Sequence, residues 1–275
     1  MKPAYKRLLW CGGVLLIAII VNLYCELFPI HLAHRDNNFG IKVLSYNIHS
    51  QADGFGLYAT EIAKTIVGEK PDFVFLTEYY ETASDTLINS LEREYPYINK
   101  TYRWENNEGD VFCSTWEIDS IDKYGVSGSF CSIYRVPIHK ATDTLVIYCC
   151  HLSSNNLMLN EGRWSSLKEG RRLRLTEADT IVNALRSEKY PAVVIGDMND
   201  VPFSPTIKRI KSTGLKDAWW NGGFGYGSTY HNDWLRLRID YAFYDDKHLN
   251  LQNIDVIGEE TWSDHRALVV GFNFK

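Results

Sequence analysis

The 275-residue chain is 45% hydrophobic and 23% charged, with no low-complexity tract and no internal repeat. That composition excludes a disordered, fibrous or repeat protein and suffices for one large domain with a substantial core, or two small ones. The formal net charge is −5; residues 1–38 carry four basic and two acidic side chains, so residues 39–275 carry −7. A dedicated nucleic-acid binder advertises a basic surface, and here the basic cluster is confined to Arg171-Arg172-Leu173-Arg174, read as a solvated helix face rather than a phosphate clamp.

At the N-terminus Lys2, Lys6 and Arg7 precede an uncharged run from Leu8 to Cys25, which Glu26 ends. At a helical rise its length is about 27 Å, enough to cross a bilayer core. The run is longer than the apolar region of a signal peptide, and Leu23-Tyr24-Cys25 is a poor cleavage site. A transmembrane signal anchor is therefore expected, with residues 1–38 forming the anchor and a short linker. The basic flank predicts that the domain lies on the extracytoplasmic side. A buried soluble helix is the alternative that Trp10 and Asn22 leave open. No linker is apparent from residue 39 to residue 275, which read as a single domain.

Ile41 to Tyr46 reads as a strand ending at Asn47, and a helix is expected from Leu57 to Glu69. Pro71-Asp72 resets the chain into a buried strand, Phe73 to Leu76, which ends at Thr77-Glu78; a second helix is expected from Thr82 to Tyr95. Between Val111 and His151, short apolar runs broken by Gly125, Gly128 and Pro137 predict antiparallel strands and hairpins. The last of these, Leu145 to Cys150, delivers His151. A polar loop and a long helix ending near Ser187 follow. Val193-Val194-Ile195 then reads as a fully buried strand, after which Gly196 turns the backbone into Asp197 and Asn199. A short helix is expected over 205–212, and strands over 238–244, 249–257 and 267–272, with Ser263-Asp264-His265 leading into the last. Mixed strands with interleaved helices argue for an α/β sandwich rather than a purely parallel sheet.

The cysteines match no zinc pattern. Cys149 and Cys150 fall on opposite faces of a strand, and a Cys113–Cys131 bridge is conceivable in an oxidising compartment.

Asn47, Glu78, His151, Asp197, Asn199, Asp240, Asp264 and His265 all stand at strand boundaries, on six separate segments. If the strands share a sandwich, these carboxylates, amides and imidazoles can converge at one end. Four acids in a small volume repel, so a cation must be present or some acids must be protonated. Oxygen donors suit a hard ion such as Mg²⁺ or Mn²⁺ better than zinc. A metal, acids and imidazoles together suit hydrolysis of a phosphate ester.

The ordered series Leu44-Ser45-Tyr46-Asn47, Asp72 to Glu78, His151-Leu152, Gly196 to Asp200, Arg238 to Tyr241 and Ser263 to Arg266 resembles the endonuclease/exonuclease/phosphatase superfamily, over roughly residues 41 to 275. The resemblance implies a DNase I-like, four-layer α-β-β-α sandwich of two mixed sheets. It implies that Glu78 is the principal ligand of Mg²⁺ (or Mn²⁺), with Asn47 beside the metal and Asp264 a further or water-mediated ligand. Asp197 matches the acid that activates water or serves the leaving group, and Asn199 the amide that positions it. His265 matches the imidazole on the scissile phosphate, oriented by Asp240, and His151 a second imidazole. The chain departs at His49, where some DNA-repair members carry an acid, which weakens a two-metal, repair-endonuclease reading.

The expected function is thus a membrane-anchored, metal-dependent phosphoesterase acting on a lipid head group, a sugar phosphate or nucleic acid. The alternatives are an endonuclease for DNA or RNA and an inactive binding module of the cell envelope. Tyr230, His231, Trp234 and Arg238 are candidates for the wall of a substrate cleft, or for core.

Overall fold

The computed structural model describes residues 28–29, 40–50, 55–102, 108–155 and 163–275. The expected transmembrane helix, Leu8–Cys25, lies outside them; among the described residues no helix is long and apolar enough to cross a membrane.

Two mixed sheets carry the architecture. The first runs in the order β14 (Leu249–Ile257), β15 (Ala267–Phe274), β1 (Ile41–Asn47), β2 (Phe73–Tyr80), β4 (Glu108–Ser114), β3 (Tyr97–Tyr102). The second runs β10 (Lys216–Asp217), β13 (Asp240–Tyr244), β9 (Ala192–Asp197), β8 (Asp143–His151), β7 (Ser132–Lys140), β5 (Glu117–Ile118), with β6 (Asp122–Lys123) also pairing with β7. A small hairpin, β11 (Tyr230–Asn232) and β12 (Leu235–Leu237), forms its own two-stranded sheet and is bridged through Tyr230 to His265, just ahead of β15.

Side-chain alternation sorts the strands into layers. Val43, Phe73, Phe75 and Phe112 of the first sheet meet Val136, Ile147, Cys149, Val193 and Ile195 of the second in one buried core between the sheets. The intervening residues Leu44, Val74 and Leu76 face outward onto helices α1 (Phe55–Glu69) and α2 (Glu81–Leu91). On α1 the buried set Phe55, Ala59, Ile62, Ala63 and Ile66 recurs at helical spacing, which is why that face docks. Val146, Tyr148, Cys150 and Val194 cover the other outer face, against α3 (Arg163–Arg186) and α4 (Pro205–Lys211). The result is helices, sheet, sheet, helices. A one-turn helix, α5 (Ala218–Gly222), begins with Asp217 accepting hydrogen bonds from the amides of Trp219 and Trp220.

Several boundaries differ from the sequence reading. β2 continues past Glu78 to Tyr80, because a bulge between Leu76 and Tyr79 absorbs the polar residue without ending the strand. α2 stops at Leu91, and β3, with no buried face of its own to create a period, escapes recognition. β13 begins at Asp240 because Arg238 turns aside to pair with Asp217 at 3.1 and 2.9 Å. No disulfide links Cys113 and Cys131: both are free and buried, one in each outer core, with two sheets between them.

Candidate active site

β1 and β2 run parallel, as do β8 and β9, and the contact between Asn47 and Asp197 brings the carboxyl ends of the two pairs together. β13 and β15 run antiparallel to their neighbours and therefore begin at that end. Register does the rest: Asp197 pairs with Asp240 on one side and with His151 on the other. Asn47 then reaches across from the first sheet, its Nδ2 donating to Glu78 at 2.9 Å and to Asp197 at 3.3 Å. All eight boundary residues singled out in the sequence are thereby brought to one end of the sandwich. Six of them line or border a cavity of about 850 Å3, namely Glu78, His151, Asp197, Asn199, Asp264 and His265.

The local backbone is bent to aim these side chains. Glu78 sits in the β2 bulge at φ +54°, a conformation that a non-glycine residue adopts only when its surroundings hold it there. Ser50 supplies that hold: its amide and hydroxyl both donate to the Glu78 carbonyl, at 3.1 and 3.0 Å, while its hydroxyl accepts from the Tyr80 amide at 2.7 Å. Asn199, at φ +49°, donates its amide to Asp197 Oδ1 at 2.7 Å and its Nδ2 to the Leu152 carbonyl at 2.9 Å. Gly196, at φ +133°, is required: a Cβ there would lie 1.9 Å from the Cys150 carbonyl oxygen.

Two kinds of carboxylate result. Asp197 and Asp240 are fully buried around His265, whose Nδ1 hydrogen-bonds Asp240 Oδ2 at 2.9 Å and whose Nε2 lies 3.6 Å from Asp197 Oδ2. Burial and the neighbouring Asp240 push the Asp197 carboxyl up to about 7. Burial alone would lower His265, but Asp240 and Asp197 outweigh it and raise the imidazole to about 10. Their donor atoms lie within 4.8 Å of one another, close enough for a metal. The imidazole already fills that space, with Nδ1 hydrogen-bonded to Asp240, so this cluster holds a proton rather than an ion.

Glu78 and Asp264 differ: their side chains are 28% and 37% exposed and both face the cavity. Their carboxylate oxygens make a hard donor set beside Asn47, whose amide presents Nδ2 to Glu78 and accepts at Oδ1 from the His49 amide at 3.2 Å, so the amide would have to turn over to add its oxygen next to Glu78. Such a set fits a hard divalent cation and offers no sulfur to a softer one. His49 approaches this corner, with Nδ1 3.1 Å from Asp264 Oδ1. The hydrogen bond from His49 holds Asp264 below the usual carboxylate range despite its burial, and in return raises His49. At position 49 this chain thus carries a partner for one of its acids. His151 Nε2 lies between the two groups of acids, 3.6 Å from Glu78 Oε1 and 3.9 Å from Asp197 Oδ2.

The surroundings contain residues that sequence reasoning missed. The buried Thr229 hydroxyl accepts from the amides of Ile239 and Asp240, and the buried Ser263 hydroxyl donates to the Asn47 carbonyl and accepts from the His265 amide. Tyr230 packs edge-on against His265, ring centroids 5.1 Å apart, and lines the cavity; Arg238 is buried against Asp217 instead. The basic cluster on α3 divides. Arg172 is exposed and paired with Glu169, whereas Arg174, expected to face solvent, is buried. Its guanidinium donates to the Ser153 carbonyl, Asn155 and Asp200, while Glu177, one turn on, accepts from the Ser153 amide and from the Ser129 and Ser153 hydroxyls. These two side chains strap the loops that follow His151 and Asp197 to the same helix.

The class that this fold and site define is an α/β-sandwich hydrolase. The chain belongs to the endonuclease/exonuclease/phosphatase family, whose model matches residues 44–265. None of the curated proteins compared by sequence matches significantly. Among solved structures, a humanized D. rerio TDP2 is similar with a TM-score of 0.69 and 14% identity, over 85% of this chain and 98% of that one. The human Nocturnin catalytic domain, with a bound sulfate anion, is similar with a TM-score of 0.65 and 19% identity, over 86% and 94% of the two chains. An endonuclease/exonuclease/phosphatase family protein from Bacteroides thetaiotaomicron is similar with a TM-score of 0.66 and 17% identity, over 86% and 98%.

Proposed function

We propose that residues 39–275 form a metal-dependent phosphoesterase, anchored by residues 1–38 on the extracytoplasmic face of a membrane. The observation that carries this reading is the separation of two half-exposed acids, Glu78 and Asp264, from a buried Asp197–His265–Asp240 relay in one cavity. Glu78 and Asp264, with Asn47 beside them, would hold Mg²⁺ or Mn²⁺, which would supply Lewis-acid neutralisation of the phosphoryl oxygens. Asp197 removes a proton from water, whose oxygen forms the new bond to phosphorus as the ester P–O bond breaks and the leaving alkoxide takes a proton from solvent. Burial tunes Asp197 to accept that proton near neutrality. His265, kept cationic by Asp240, donates from Nε2 to the phosphoryl oxygen as charge develops there. Asn199 fixes Asp197, and His151 offers a second donor on the Glu78 side.

A lipid head group or sugar phosphate fits better than nucleic acid. Among the described residues no lysine or arginine lines the cavity, and a polyanion needs several. Hydrolysis of bis(p-nitrophenyl) phosphate is the test. It is expected to require Mg²⁺ or Mn²⁺ and to be lost in Glu78→Ala and His265→Ala; a wild-type protein inactive with either metal would leave an envelope binding module as the better reading.

A further inference from the structure

The described chain begins again close to the site. The Pro29 carbonyl accepts a hydrogen bond from the Gly225 amide at 2.9 Å, and the Phe28 ring packs on Tyr226 with centroids 5.8 Å apart. This loop runs directly into β11. From Cys25, where the apolar segment ends, to Phe28 is at most about 11 Å of extended chain, and from Tyr226 to Tyr230 at most about 14 Å. The end of the apolar segment is thereby tethered within a few nanometres of Tyr230, the residue packed on His265.

Exposed apolar side chains stand on the hairpin, on the cavity lining and in the loop before the hairpin. Trp234, at the tip of the β11–β12 hairpin, is 86% exposed, and Phe130, on the lining of the cavity, is 69% exposed. Leu235 and Leu237 carry the apolar surface from the hairpin down into the cavity, and Phe224 is exposed in the loop that holds Phe28. Large apolar side chains grouped around a polar site mark a surface that meets another apolar phase. Tryptophan in particular settles at membrane–water interfaces, where its ring is half apolar and its N–H is wet.

We propose that the catalytic mouth faces the bilayer that holds residues 8–25, with the Trp234 hairpin seated in the interface, and that the substrate is a phosphoester lipid of that membrane. This rests on the phosphoesterase reading above. The short tether confines the domain to the bilayer surface, and its docking on the 225–226 loop turns the hairpin side, not the opposite pole, toward the lipid. A lipid head group then reaches Glu78 and His265 while its acyl chains stay in the membrane.

Orientation and chemistry are tested separately on the full chain reconstituted into phosphatidylcholine vesicles. All four cysteines of the described residues are buried. With Cys11 and Cys25 replaced by serine, an environment-sensitive fluorophore can therefore be placed at Trp234→Cys or, as control, at Ser187→Cys, an exposed position beyond the other end of β9. The fluorophore at 234 is expected to shift to the blue and to be quenched by brominated lipid, and that at 187 to do neither. Equal solvent exposure at both positions overturns the orientation. Trp234→Ala is expected to lower the ratio of vesicle-lipid hydrolysis to bis(p-nitrophenyl) phosphate hydrolysis about ten-fold, equivalent to about 1.4 kcal/mol of lost interfacial binding. An unchanged ratio, or a selective loss on a short oligonucleotide, overturns the lipid assignment, the latter in favour of a base-stacking platform. A wild-type protein that hydrolyses neither substrate defeats the phosphoesterase reading instead.

Discussion

Asp240 holds His265 by a 2.9 Å hydrogen bond to Nδ1, which leaves Nε2 pointing toward Asp197, 3.6 Å away. Asp240 therefore sets the ring orientation and, with Asp197, the charge of the imidazole. Asp240→Asn keeps the shape but removes the charge. It is expected to lower kcat about 100-fold or more, with KM little changed, since the loss falls on transition-state charge stabilisation. Steady-state kinetics on bis(p-nitrophenyl) phosphate would show it; a purely raised KM would place Asp240 in substrate binding instead.

The same pair links folding to pH. His265 is raised above its ordinary value, so the folded state holds a proton that the unfolded chain releases from about pH 6.5 upward. Its stabilisation is complete below that pH and is lost as pH rises through about 10. Urea midpoints of metal-free protein are expected to fall from pH 6.5 to pH 9.5, with His265 contributing at most about 1.4 kcal/mol of unfolding free energy per pH unit, and His265→Gln should flatten the curve. A wild-type midpoint that holds steady or climbs over this range contradicts a cationic His265.

Metal binding can be read without turnover. A divalent cation bound to the folded state alone raises the melting temperature. Saturating Mg²⁺ or Mn²⁺ should raise the wild-type Tm by about 5 °C or more, and Glu78→Gln should abolish the shift. A shift that survives Glu78→Gln but disappears in Asp240→Asn would relocate the ion to the buried cluster.

Much of this site was legible in the sequence because its ligands stand where buried strands end. Three apolar residues followed by Gly196, Asp197 and Asn199 announce both a strand and its exit, and the same grammar marks Asn47 and His151. The continuous apolar run of β9 likewise marks a strand buried on both faces, and mixed strands with interleaved helices point to a sandwich. The supports were not legible. Ser50, Thr229 and Ser263 are ordinary hydroxyls whose roles depend on backbone amides from other segments. Arg174 looks like any solvated helix cation until the loops from two strand ends close over it. Local pattern carries period and punctuation; it does not carry which distant carbonyl will arrive.

Arg174 yields a prediction of its own. Its guanidinium bridges the loop after His151 and Asp200 from a buried position. Arg174→Met strands Asp200 and the Ser153 carbonyl without their donor and should cost about 3 kcal/mol of stability. Urea unfolding tests this; a loss within about 0.5 kcal/mol would mean that water substitutes for the strap.

Gly196 leaves no room for a side chain, since a Cβ would meet the Cys150 carbonyl oxygen at 1.9 Å. The strand ends that deliver His151 and Asp197 are thus gauged by main chain lying directly on main chain. Their spacing is independent of every side chain around them. Chemistry at this end of the sandwich can be rewritten by exchanging the residues that project from it, while the ruler that spaces them stays fixed in the polypeptide itself.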